Sequence, residues 1–385
     1  MARKYDVVVV GLGAMGSATT YALAARGLRV LGLDAHRPPH RHGSHHGESR
    51  IIRKAYYEHP AYVPLLERAF AAWRELEDRA HATLFLRTGG LMIGADTGEL
   101  VPGVLASARA HHLPHEVLSG DALEARYPQF RVDRSMIAVW EDDAGILYPE
   151  ACVRAFLEGA RAAKAELRYG ESAQEWSCGP EGVRVSTTRE RYSGGALVLT
   201  AGAGMGELVA GLRSHLRVER QVVAYFAPAS ERAALGLGRF PIFCLEEPNG
   251  AFYYGFPDLG SGCKIARHHG GAIGEPDSLS RRPTEADIAE IRGFMERRLP
   301  QANGALKASD VCLYTNTPDL HFLVDRHPRH DEVIVASVCS GHGFKFASVM
   351  GEIIAELVQG KRPAFDLSMF RMARLGVAPI SRVPR

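Results

Sequence analysis

Four cations stand where a chain of ordinary composition has little need of surface charge. Lysine is scarce, with only seven among 385 residues, so a lysine inside apolar text asks for a reason. Lys264 interrupts the run Cys263-Lys264-Ile265-Ala266. Strand alternation sends it either to solvent or into a pocket. Tyr253 and Tyr254 just upstream face opposite sides, so at most one lines a given pocket. Lys345 follows Gly341, Gly343 and Phe344 in SGHGFK, where a helix is expected to start. Backbone amides and an ammonium there suit an anion, although a plain strand-to-helix connection with a surface lysine fits the same text. Arg50 and Arg53 close the segment Ser44–Arg53, SHHGESRIIR. On a helical turn residues three apart share a face, and two adjacent guanidiniums repel unless an anion lies near. A carboxylate matches their planar fork; a surface loop with ordinary salt bridges is the simpler alternative. Cys312, between apolar neighbours in VCLYT, reads as a buried inert thiol. His45 and His46 lack a third ligand at a recognisable spacing, so no metal is expected.

These residues need elements to place them. The β-branched run Tyr5 to Val10 reads as a buried parallel strand. Gly11, Gly13 and Gly16 follow, then a helical pattern to Gly27, then a second strand from Leu28 ending in Asp34. Strand, glycine loop, helix, strand and acid together form a dinucleotide fingerprint. The glycines allow a tight turn, close approach of a pyrophosphate and close helix packing, and Asp34 is placed to accept from ribose hydroxyls. The motif does not choose between FAD and NAD. The histidine-rich segment after Asp34, through Arg50, reads as too polar for the core. Helices are expected at 61–80, 100–110, 150–164, 284–299 and from Lys345 to Val358. GALVLTAGAGMG at 195–206 and VIVASV at 333–338 resume the opening strand theme. Strand text near Leu91 and Ile137, at 218–226 and at 251–266 belongs to something else. The expected division is therefore a discontinuous cofactor domain, 1–82, 150–216 and 321–385, and a second domain, 83–149 and 217–320.

The formal net charge of +2 argues against a nucleic-acid partner. Six cysteines without a C-x-x-C pair exclude a zinc ribbon or dense disulfide framework and point to a reducing compartment. No stretch reaches the ~18 apolar residues that span a bilayer. A cytoplasmic protein away from membranes is expected.

The segments GLGAMG, SHHGESRIIR, YYGFP, KIARHH, VCLYTNTPD and SGHGFKFA, in this order over essentially the whole chain, resemble the monomeric sarcosine oxidase family, with N-methyltryptophan oxidase as a close relative. The resemblance implies an α/β fold with a Rossmann-type FAD-binding domain on a parallel sheet and a catalytic domain on an antiparallel sheet with helices. It implies a monomer whose FAD is attached covalently through Cys312. Gly11, Gly13, Gly16, Asp34, Ser44, Ser49, Arg50, Gly341, Gly343, Phe344 and Lys345 become cofactor contacts. Arg53 and Lys345 become holders of a substrate carboxylate, Tyr254 a further substrate contact, and Lys264 the group that activates oxygen. Arg50, His46, Tyr254, His268 and Tyr314 match polar residues around flavin and amine, with His269 an alternative to His268. Leu245 stands where some relatives carry a methionine near the substrate. The implied reaction converts sarcosine, O2 and water to glycine, formaldehyde and H2O2, by hydride-like transfer to flavin N5 from a neutral amine. A bulkier or cyclic secondary amino acid (N-methyl-tryptophan, proline, pipecolate), or another electron acceptor, is the alternative.

Overall fold

A computed structural model describes residues 4–229 and 232–376. The strand Lys4–Val10 lies inside an eight-stranded sheet, and its valines are inaccessible on both faces. It pairs in parallel with Val30–Asp34 on one side and Arg191–Leu199 on the other. His330–Ser337 extends the parallel part, Leu197 standing opposite Val333, while the antiparallel hairpin Ala173–Gly179/Gly182–Thr187 adjoins the same Arg191–Leu199 strand. Helices Ala14–Ala24, Pro149–Ala162 and Ala347–Val358 pack together against this sheet. A Cβ at Gly351 would lie 2.7 Å from the backbone of Ala18, so two of these helices meet at bare backbone.

The second sheet has nine strands and is antiparallel except where Ile242–Glu246 runs alongside Gly90–Ala95. Its long strand Arg217–Phe226 holds Leu306–Asn316 on one edge and Cys263–His268 on the other. Phe252–Gly255 comes next, with Tyr254 opposite Ala266. That register puts Lys264 and His268 on one face with Ala266, two residues to either side of it. Tyr253 goes to the other face, where it stacks on Phe294 at 4.0 Å. The architecture is the α/β fold with parallel and antiparallel sheets that the sequence implied. Among the described residues no helix is long and apolar enough to cross a membrane.

Three local expectations fail. Arg50–Ile52 is a strand, not a helical turn, in a small sheet with Gly145–Leu147 and Phe85–Arg87. Two consecutive isoleucines favour the pleated backbone over a turn of helix. The histidine-rich segment does enter the interior, since His45 and His46 are each only 4% exposed. The helix expected from Lys345 begins at Ala347, after a 3-10 turn at Phe344–Phe346.

Candidate active site

A cavity of about 560 Å³ runs between the two large sheets. At one end the glycine loop forms its wall. Gly11 has φ +88°, and a Cβ there would lie 2.6 Å from the Thr200 carbonyl oxygen; one on Gly16 would overlap the Gly11 carbonyl oxygen at 1.7 Å. The helix behind the loop has neither a side-chain cap nor an acid in its first turn, so its amides are left for an anion. Asp34 accepts from the amides of Leu12 (2.7 Å) and His36 (2.8 Å). Burial raises its pKa, but His40 and these amides outweigh that and hold the carboxyl below the ordinary range. The residues therefore fit the ADP half of FAD: bare backbone for a pyrophosphate and an ionised acid for hydroxyl donors.

The middle of the cavity carries Arg50, Cys312 and Cys339. Arg50 donates to the carbonyls of Ser49 (2.7 Å), Ser44 (2.9 Å) and His46 (2.6 Å), and the Ser44 hydroxyl in turn bonds the Leu313 carbonyl. Lys264 lies one hydrogen bond behind this wall and is 2% exposed. Its Nζ donates to Gly47 O (2.7 Å), Ser49 O (2.9 Å) and Ser49 Oγ (3.2 Å). Both cations thus meet at the Ser49 carbonyl. Burial first, then Arg50, pushes the Lys264 ammonium well below its usual pKa. Burial, then Arg50, also holds His46 down to about 4. His46 Nδ1 is 3.3 Å from the Asp310 carboxylate, yet neither ring nitrogen has a hydrogen-bond partner; separation alone does not make the bond. Burial raises the Cys312 thiol above its usual range, and Arg50 and Lys264 oppose that rise.

The far end is a denser knot. Arg53 is 3% exposed and binds Glu58 through Nη2 at 2.9 and 3.2 Å, while Nη1 reaches the Ala55 carbonyl. Its guanidinium lies over the rings of Tyr56 (4.4 Å) and Tyr57 (5.1 Å). Lys345, 6% exposed, donates to His342 O (2.7 Å) and Tyr56 Oη (3.2 Å). Tyr56 Oη meets His342 Nδ1 at 2.7 Å, and His342 Nε2 meets the Leu320 carbonyl at 3.0 Å. Burial brings His342 to about 3, so the ring is neutral. Its Nε2 then carries the hydrogen and its Nδ1 accepts from the tyrosine. Burial, then Arg53, lowers Lys345 to about 7. Opposite stand Tyr254, His268 and Tyr314, with His268 Nδ1 3.2 Å from Tyr314 Oη. Gly341, at φ +77°, closes over the last two: a Cβ there would sit 2.7 Å from each ring. Gly343 and Phe344 complete the wall, the latter stacked on Trp73.

The structure thus gathers the expected residues around one cavity, with Gly16, His46, Ser49 and Lys264 behind its lining. His268, not His269, faces the cavity; His269 turns to Glu219 at 2.9 Å. Leu245 is a correction: its side chain is fully buried in the core beyond the sheet, and Cys244, one residue earlier, lines the cavity. The sequence reading missed Glu58, Tyr56, Tyr57 and His342. The only signal for them was a charged or polar side chain set in aromatic or glycine-rich text, YYEH and SGHGF.

A model of the family described as DAO, FAD dependent oxidoreductase, matches residues 6–357. The chain belongs to this family. It is an FAD-dependent oxidoreductase with the monomeric sarcosine oxidases among its homologues. The monomeric sarcosine oxidase of Streptomyces avermitilis is 38% identical over 383 residues, 98% of this chain and 100% of the relative. The N-methyl-L-tryptophan oxidase of Salmonella newport is 37% identical over 374 residues, 96% and 99% of the two chains. A variant of NikD, an unusual amino acid oxidase essential for nikkomycin biosynthesis, superposes in its open form with a TM-score of 0.84 at 24% identity. It covers 96% of this chain and 97% of its own, and that likeness concerns the fold. The family's members share a cofactor, and the glycine loop, uncapped helix and Asp34 accommodate it here.

Proposed function

We propose that this FAD-dependent oxidoreductase oxidises N-methyl amino acids with O2, and that sarcosine is its substrate, giving glycine, formaldehyde and H2O2. The observation that carries this reading is the buried pair Arg53 and Lys345, facing Tyr254, His268 and Tyr314 across one end of the cavity. FAD, when bound, supplies the two-electron acceptor and the route to O2. The protein's part is to bind, orient and set charge. Arg53 and Lys345 receive the substrate carboxylate; Glu58 holds the guanidinium fork, and the Tyr56–His342 link fixes Lys345. The same positive charge disfavours an ammonium, so the amine is held neutral with its lone pair free to form the C=N bond as the C–H electrons leave. His268, pushed well below its ordinary pKa by burial and then by His269, adds no opposing charge. Lys264 and Arg50 give a positive field at the centre, where negative charge develops during oxidation and oxygen reduction.

Tyr57 supports a small substrate. Its ring lies under Arg53 and stacks on Phe252 at 5.5 Å, so two packed aromatic rings form the cavity wall beside the guanidinium. We assign the flavin tether to Cys312, the ring-bearing centre to Arg50, His46, Ser44 and Ser49, and the cofactor domain to 1–82, 150–216 and 321–385. Residues 83–149 and 217–320 then form the substrate domain of a cytoplasmic monomer. Six free thiols suit that compartment.

Oxygen uptake with sarcosine, N-methyl-L-tryptophan, L-proline and pipecolate tests the reading. Sarcosine should give the highest kcat/KM, with formaldehyde and peroxide formed in equal amounts. Turnover with none of the four, or with a dye acceptor alone, overturns it. Cys312→Ser should release its flavin on acid precipitation while the wild type retains it; release from both removes the tether.

A further inference from the structure

Away from the cavity, three metal-ligating side chains converge at the junction of two hairpins. Cys178 stands near the end of Ala173–Gly179, and His330 and Glu332 open the strand His330–Ser337. Spaced two apart on a strand, the latter two share a face. One ligand atom from each of the three lies within 4.8 Å of the others. We propose that Cys178, His330 and Glu332 form a zinc site that staples the Ala173–Gly179 hairpin to the His330–Ser337 strand.

The donor set is soft thiolate, imidazole and carboxylate, the combination that selects zinc over calcium or magnesium. Bonds of about 2.0–2.3 Å to one zinc would bring the ligand atoms to roughly 3.5 Å apart, so the three, now within 4.8 Å, close in on binding. All three residues are half-buried, so an ion can enter and water can take a remaining position. The imidazole is already braced: Trp176, on the same face as Cys178, packs edge-on to His330 at 5.5 Å and to His327 at 5.3 Å. The indole is itself anchored through Nε1 to the Leu208 carbonyl at 2.8 Å. Such outer contacts hold a ligand ring in place. The Cys178 sulfur lies within 4.8 Å of a Glu332 carboxylate oxygen. On binding, the S–H bond breaks, a Zn–S bond forms and the proton goes to solvent, with no change of oxidation state. The staple joins two hairpins that share the Arg191–Leu199 strand. Ser337, at the cavity, is seven residues beyond His330, about 23 Å along the strand. The expected consequence is stability, not rate.

Holoenzyme stripped with a chelating resin is titrated with Zn2+ by equilibrium dialysis, beside Cys178→Ser, His330→Gln and Glu332→Gln. The wild type should take up one more equivalent than Cys178→Ser or His330→Gln. Zinc should raise its unfolding midpoint by a few degrees and leave those variants unmoved, with sarcosine turnover the same with and without zinc. Equal uptake in wild type and variants overturns the site, and so does a wild type that takes up none. Should Cys178→Ser fail to fold, His330→Gln carries the same comparison. Because uptake is measured without turnover, the result is independent of the proposed substrate.

Discussion

Two pairs of cations stand at the same cavity, Lys264 just behind its wall, and are treated in opposite ways. Arg53 has a carboxylate of its own chain, Glu58, at 2.9 Å, and its neighbour Lys345 is drawn into the Tyr56–His342 link. Arg50 and Lys264 direct their hydrogen bonds to neutral oxygens, chiefly the carbonyls of Ser44, His46, Gly47 and Ser49. Neutral carbonyls orient a charge without cancelling it. The first pair is therefore suited to recognising an anion that comes and goes, with Glu58 holding the Arg53 fork in place. In the second, the charge of Arg50, and of Lys264 when protonated, is left uncancelled toward whatever occupies the centre. Identical side-chain types acquire different work from the acceptors around them.

The largest expected effect lies in the central pair. Lys264→Met keeps the volume beside Phe256 but removes the charge. Stopped-flow reoxidation of the reduced enzyme by O2 should slow by on the order of 10²–10³-fold, with anaerobic reduction by substrate changed far less. Equal slowing of both half-reactions would dissolve the distinction between the pairs.

Next comes the compensated pair. Arg53→Ala leaves Glu58 buried without its partner, which costs about 3–5 kcal/mol and should lower the denaturant midpoint as well as substrate affinity. Adding Glu58→Gln should restore most of the stability and none of the affinity. If Arg53→Ala alone is as stable as the wild type, Glu58 is not the counter-charge described here.

The smallest effect is in pH. Lys345, lowered to about 7, is charged below that pH and loses its proton above it. A bound carboxylate favours the charged form, so binding takes up a proton above about 7. The dissociation constant of propionate, which carries no amine, should be flat below pH 7 and rise by up to about tenfold per unit above it. Lys345→Met should bind propionate more weakly and without this pH dependence; an unchanged profile would move the titration to another group.

Much of the cofactor end was legible in the sequence, because strand, glycine loop, helix and acid fall within the first 34 residues and obey local rules. The substrate end was not. Arg53 and Lys345 lie 292 positions apart in the chain and come together only in the fold, and the helical spacing that coupled Arg50 to Arg53 gave way to a strand set by Ile51 and Ile52. Period-two alternation separated Tyr253 from Tyr254 but could not say which faced inward; the register with Cys263–His268 decides it. It also separates Leu245 from Cys244, where a one-residue slip exchanges core for cavity. Burial of His45 and His46 escaped notice because polarity was read as exposure, whereas buried backbone carbonyls and glycine turns make room for polar rings.

The central claim, that the Arg53–Lys345 end recognises a carboxylate on the oxidised amine, is tested most directly by anaerobic flavin bleaching. Sarcosine and dimethylamine, the same amine without its carboxylate, are compared at one free-amine concentration. Sarcosine should bleach the wild type at least 10²-fold faster, from about 3 kcal/mol of charge-assisted hydrogen bonding, and lose that advantage in Lys345→Met. Equal bleaching by the two amines would contradict the account.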